Sequence, residues 1–108
     1  MTSPMDRLKS KITKEVLWVY ILRLLKERPM YAYELKQRIK EAFDFEPATV
    51  SSYVVLYKLE KDGYVTAEWQ ESGTGKPSRK YYKLTPAGER LLENGLGFLE
   101  ETLKKLKG

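Results

Sequence analysis

GYVTAEWQESGTGKPSRKYYKLTP, residues 63–86, decides how the rest of the chain is read. Behind Gly63 the hydrophobic period is two: Val65, Ala67 and Trp69 alternate with Thr66, Glu68 and Gln70, the pattern of a half-buried strand. Ser72-Gly73-Thr74-Gly75-Lys76-Pro77 supplies a turn, and Arg79 to Leu84 reads as a second strand with Tyr82 and Leu84 inward. The stretch is therefore a two-stranded hairpin. Between Thr74 and Thr85 it carries Lys76, Arg79, Lys80 and Lys83 with no acidic residue, interleaved with Tyr81 and Tyr82, and forms the clearest cationic patch of the chain.

Upstream of the hairpin the period is helical. Ser3-Pro4-Met5-Asp6 joins a hydroxyl cap, a first-turn proline and a carboxylate, close to a capping box. Met5, Leu8, Ile12, Val16 and Val19 then recur at three and four residues, and Leu17, Ile21, Leu24 and Leu25 widen the stripe. One continuous helix from about Pro4 to Glu27 is expected, about 36 Å long at 1.5 Å per residue, with its first half projecting toward another subunit. A second helix is expected over Met30 to Phe43, with Ala32, Leu35, Ile39 and Ala42 on one stripe. Pro47 marks a turn, Ser51 or Ser52 caps a third helix, and Asp62-Gly63 ends it, since glycine readily takes the left-handed geometry of a C-terminal cap. Val55, Leu56 and Leu59 form its inner face, leaving Tyr53, Tyr57, Lys58 and Lys61 nearer the surface.

Downstream, Thr85-Pro86 repeats the cap-and-proline signal. Leu92, Leu96, Leu99, Leu103 and Leu106 then recur four, three, four and three residues apart, as in a coiled-coil seam. Gly95 and Gly97 cost about 1 kcal/mol each against alanine, so this helix needs something to pack against. Two readings of the leucines stand at this point: a seam between two copies, which the distance from the wing favours, or a stripe folded back on its own body.

The predicted fold class is thus mainly α with a small β-hairpin (α+β): a winged helix-turn-helix with long N-terminal and C-terminal helices. At 108 residues one domain is expected, with a core over residues 4–85 and a C-terminal dimerisation helix over 86–107. In such a fold one helix enters the major groove of DNA while flanking groups hold the phosphate backbone.

Composition narrows the function. The chain has no cysteine and no histidine, which removes disulfides, thiolate or imidazole metal sites and every triad whose base is histidine. No catalytic residue, metal or cofactor is expected. The net charge of +5 favours an anionic partner. The longest apolar run, Val16 to Leu22, is 7 residues, against roughly 20 for a membrane-spanning helix, and with no secretory signal in the first residues a cytoplasmic protein is expected.

Three segments carry a family resemblance: Pro29-Met30-Tyr31-Ala32-Tyr33-Glu34-Leu35; Tyr53 with Leu56 to Gly63; and Gly75 to Gly88. Together they resemble the PadR family of transcriptional regulators over about Val16 to Leu92, most specifically in the hairpin. The resemblance implies a dimeric repressor on a palindromic operator in double-stranded DNA, with a C-terminal dimerisation helix and, in some members, a small hydrophobic effector. By similarity Ser51 and Tyr53 fall on recognition-helix positions that touch DNA, and Lys76 and Arg79 on the wing. Tyr57, Lys58 and Lys80 join these candidates from exposure and charge, although a tyrosine pair can also pack on the core and a surface lysine can simply be solvated. Trp18 and Trp69 are candidates for an effector site or for packing. Tyr31-Ala32 stands where His-Gly is frequent and Val54-Val55 where Pro-Ala is frequent, which points to a different operator. The alternative to a repressor is a winged-helix module that binds protein within a transcription or RNA-processing assembly.

Overall fold

The computed structural model describes residues 2–71 and 73–108, so Ser72, assigned to the hairpin turn, lies outside the described residues. Helix α1, Pro4–Lys11, opens on the expected capping box: the Ser3 hydroxyl accepts from the Asp6 amide at 3.0 Å, and the Ser3 amide donates to the Asp6 carboxylate at 3.3 Å. The expected continuous first helix, however, is broken. It stops at Ile12, passes through a 3₁₀ turn at Lys14–Val16 and resumes as α2, Leu17–Leu25. The β-branched pair Ile12-Thr13 sits at the break, where the Thr13 hydroxyl bonds the Lys9 carbonyl at 2.6 Å and the Tyr20 hydroxyl donates to the Ile12 carbonyl. These side chains satisfy carbonyls that helix continuation would otherwise have to bond. Consequently α1 buries none of its residues, and Met5, Leu8 and Ile12 stay exposed, whereas α2 is the central helix of the core.

Met30–Tyr31, expected to begin a helix, instead forms a short strand β1. Helix α3, Ala32–Phe43, follows with Leu35 and Ile39 buried and Ala42 left exposed. Asp44 turns the chain in left-handed geometry at φ 61°, Pro47 is buried in the turn, and α4 runs Thr49–Lys61. It starts ahead of both serines proposed as its cap. Ala48 occupies the cap position, and the Ser52 hydroxyl points backward to donate to the Ala48 carbonyl at 2.9 Å. The C-terminal end is as expected: Gly63 has φ 81°, with Tyr64 N–H bonding Leu59 and Gly63 N–H bonding Glu60, the paired bonds of a Schellman cap.

Strands β2, Val65–Gln70, and β3, Arg79–Leu84, are antiparallel from Val65 opposite Leu84 to Gln70 opposite Arg79. Strand β1 adds to the other edge of β3, with Met30 opposite Tyr82, so the wing is part of a three-stranded sheet ordered β1-β3-β2 rather than a free two-stranded hairpin. Burial fades along β2: Val65 is buried, Ala67 half-buried and Trp69 is 70% exposed. The alternation places Trp69 on the inner face, but the hairpin has by then run past the core.

Helix α5, Pro86–Lys107, is anchored at its first turn. The Thr85 hydroxyl accepts from Gly88 N–H at 3.0 Å and donates to the Gly63 carbonyl at 2.7 Å, joining α5 to the end of α4. Gly88 is buried so tightly that a β-carbon there would meet the Tyr64 carbonyl oxygen at 2.1 Å and Leu84 Cδ1 at 2.8 Å. Because the nearer atom is backbone, it cannot rotate away. Gly88→Ala is expected to destabilise the fold by about 3 kcal/mol, the upper range for overpacking, and to lower Tm by more than about 10 °C in thermal denaturation at fixed protein concentration. Further along, the Trp18 ring lies against Gly95, where a β-carbon would meet it at 2.8 Å, so this glycine's cost in helix propensity is offset by contact within its own chain. Leu92 is 1% exposed and belongs to the core. Beyond it α5 projects from the core, and with it the structure measures 57 × 35 × 22 Å along its principal axes.

Candidate nucleic-acid interface

Helix α4 presents opposite faces to protein and to solvent. Ser52, Leu56 and Leu59 point into the core, while Ser51, Tyr53, Tyr57 and Lys58 are all exposed, so neither tyrosine is spent on core packing. Val50 and Val54, also exposed, complete an outward face that is aliphatic and aromatic along its centre. At 100° per residue the four candidates divide between its two edges. Ser51 and Lys58, seven residues apart, share the edge away from the wing; Tyr53 shares the wing-side edge with Glu60, also seven residues on. The turn before α4 is held by Lys36 of α3, whose ammonium donates to the Thr49 hydroxyl at 2.9 Å and lies 3.9 Å from Glu46.

The wing cations do not form one patch. Neighbouring strand residues point to opposite faces, and the register puts Arg79 with Gln70 on the outer face and Lys80 with Trp69 on the inner. Arg79 lies 4.5 Å over the Tyr31 ring, which itself meets Tyr81 edge to face at 5.4 Å. The Arg79 guanidinium is thereby oriented but still exposed to solvent. Lys80 turns the other way: its ammonium bonds Glu60 of α4 at 3.1 Å and sits 5.5 Å from the Tyr82 ring. The hydrogen bond to Glu60 raises the Lys80 pKa above its ordinary value. Lys80, a candidate DNA contact by sequence, is thus a latch between wing and α4 in this structure. Lys76, in the turn, and Lys83, on the outer face, are exposed.

Between the inner face of the wing, α4 and the start of α3 runs a groove of about 380 Å³ lined by Tyr33, Tyr53, Trp69, Ser78, Arg79 and Lys80, among others. Tyr33 is the residue that sequence reasoning missed here, and Trp69, a candidate for an effector site or for packing, lines this groove. The helical stripe of α3 gave Tyr33 no role, although its position two residues beyond the sheet was a signal once β1 is known.

Of the five leucines assigned to dimerisation, Leu92 is excluded by its burial, and Leu96, Leu99, Leu103 and Leu106 form an exposed stripe. Trp18 is half-buried and borders an apolar cleft of about 280 Å³ with Val55, Leu59, Tyr64 and Leu91, with Lys58 and Asp62 at its rim. Among the described residues no helix is long and apolar enough to cross a membrane.

Helices α3 and α4 joined by a short turn, with an antiparallel wing latched beside α4, define a winged helix-turn-helix protein of the regulator class. The sequence model of the Transcriptional regulator PadR-like family matches residues 21–94, and the chain belongs to that family. Solved structures agree in fold. A PadR-like transcription factor from Bacteroides fragilis is 36% identical over 94% of this chain and 99% of its own, with a TM-score of 0.73. A transcriptional regulator from Clostridium thermocellum is 26% identical over 99% of this chain and 96% of its own, at 0.77. Bacillus subtilis PadR, solved in complex with operator DNA, is 30% identical over 75% of this chain and 46% of its own, at 0.70.

Proposed function

We propose that this chain is a DNA-binding transcription regulator that acts as a homodimer, represses by occupying a palindromic operator and catalyses no reaction. The observation that carries the reading is the outward face of α4, with Val50, Tyr53, Val54 and Tyr57 exposed beside a wing that bears Lys76 and Arg79. A helix presented in this way suits the major groove, where valine and the tyrosine ring meet thymine methyls and the tyrosine hydroxyl meets base-edge or phosphate acceptors. The wing cations suit the adjacent phosphates. The exposed α5 stripe supplies the two-fold partner, with α1 beside it, and the cleft at Trp18 is the place for a small hydrophobic effector.

The test is selection from a random double-stranded DNA library with the purified protein. Enrichment of a two-fold symmetric site, with half-sites about 34 Å apart on one face of the duplex, is the expected result. Recovery of no sequence that binds better than the starting library overturns sequence-specific regulation.

A further inference from the structure

Trp69 is a large apolar side chain left 70% exposed at the mouth of a groove. Its surroundings identify the occupant. The groove offers hydroxyls from Tyr33, Tyr53 and Ser78, with the Arg79 guanidinium held over the Tyr31 ring at its edge and the Lys80 ammonium engaged by Glu60 of α4. Three hydroxyl donors with the Arg79 cation at the edge suit an anion, and a wide indole face suits something with an apolar surface between its charges. A sugar–phosphate strand has both: phosphates that accept hydrogen bonds and, between them, deoxyribose rings edged with C–H groups. Its path also fits, because a helix in the major groove and a wing over the neighbouring minor groove leave one backbone strand between them.

We infer that the groove between α4 and the wing clamps one DNA backbone strand, with Trp69 packed on deoxyribose and Tyr33 and Tyr53 donating to the flanking phosphates. The inference rests on the DNA-binding reading above and adds to it a contact that is independent of base sequence and of salt. The Lys80 bond to Glu60 serves the clamp by holding the wing at a set distance from α4. Trp69 contributes through area removed from water, and burying an apolar ring releases no counterions.

The experiment uses the full chain and a mixed-sequence DNA duplex, followed by gel shift across a salt series. Trp69→Ala is expected to weaken binding about tenfold, the scale of one aromatic contact to nucleic acid, while the slope of log affinity against log salt stays that of the parent. Trp69→Phe is expected to recover most of the loss. Since Trp69 is exposed, neither change threatens folding, which circular dichroism checks. A Trp18→Phe protein leaves Trp69 as the sole tryptophan, and saturating DNA is expected to protect its fluorescence from acrylamide. Parental affinity in Trp69→Ala, with Trp69 still quenched in the complex, overturns the clamp and leaves DNA binding standing. A flattened salt slope in Trp69→Ala overturns the apolar contact. Protection that appears without DNA and grows with protein concentration assigns the groove to a second copy instead. A parent protein that shifts no duplex at all overturns the DNA-binding reading and the clamp with it.

Discussion

Leu99→Glu combined with Leu103→Glu is expected to turn the protein into a monomer and to lower its affinity for a two-fold operator more than about 100-fold. Leu99 and Leu103 are 44% and 53% exposed on α5, midway along the stripe formed with Leu96 and Leu106. Fully burying an exposed leucine is worth about 1.5–3 kcal/mol; these two are already about half buried, and a two-fold interface loses each contribution twice, so the pair accounts for roughly 3–6 kcal/mol of association. Placing glutamates there adds the cost of desolvating unpaired charge. A loss in that range weakens association by about 100- to 10,000-fold. The winged-helix body stays folded, because its core ends at Leu92. Operator affinity falls because two linked half-site contacts become two independent ones. Light scattering that still reports a dimer at micromolar concentration moves the interface elsewhere, with Met5, Leu8 and Ile12 of α1 as the next apolar stripe.

The way α5 is attached gives the proposed dimer a consequence for DNA spacing. Thr85 bonds Gly63 at the end of α4, Gly88 seats against Tyr64, and Lys80 ties the wing to Glu60. Helix α4, the wing and the start of α5 are therefore tied to one another by direct contacts. In the proposed dimer, the point where α5 meets its partner sets the separation of the two α4 helices, so a change in seam register is expected to appear as a change in half-site spacing.

Which parts of this were legible in the sequence follows from the range of the interactions. Ser3-Pro4, Asp62-Gly63 and Thr85-Pro86 were readable because a cap is decided within four or five residues. The hairpin was readable because its period, turn and charge agree. By contrast, Met30-Tyr31 becomes a strand only through pairing with Tyr81 and Tyr82, some fifty residues away, and no local periodicity encodes that partner. The break at Thr13 had a local signal in its β-branched residues, but a strong apolar stripe continues through it, and the Tyr20 hydroxyl that satisfies the Ile12 carbonyl comes from the next helix. Alternation placed Trp69 on the correct face of its strand; how far the core extends beneath that face is a property of the assembled helices. The same limit applies to Leu92 and Leu96, equivalent in the leucine repeat yet on opposite sides of the core boundary. At the candidate site, the exposure of Tyr53 and Tyr57 followed from helical geometry. The separation of Arg79 from Lys80 was implicit in strand alternation, but the pairing of Lys80 with Glu60 needed the packed structure.

That separation sets the largest effect expected at the wing. Lys76→Ala with Arg79→Ala is expected to weaken binding to operator and to random duplex alike, by about 10- to 100-fold at low salt, and to flatten the salt dependence. Each cation that neutralises a phosphate contributes about 0.9 to the slope of log affinity against log salt, so two cations on each of two wings remove about 2 to 4 units. Lys76 stands in the turn, and Arg79 is aimed by the Tyr31 ring, so neither is needed to hold the fold. The ratio of operator to random affinity stays near the parental value, because phosphate contacts carry no base information. Lys80→Ala is the matched comparison. It also removes one positive charge per wing, but from a side chain already bonded to Glu60, and is expected to leave the slope within about one unit of the parent while loosening the wing. Titrations at several salt concentrations decide the matter. An unchanged slope in the Lys76 and Arg79 double variant refutes the phosphate role of the wing, whereas a slope lost equally with Lys80→Ala shows that the latch opens on DNA and that all three cations face the backbone.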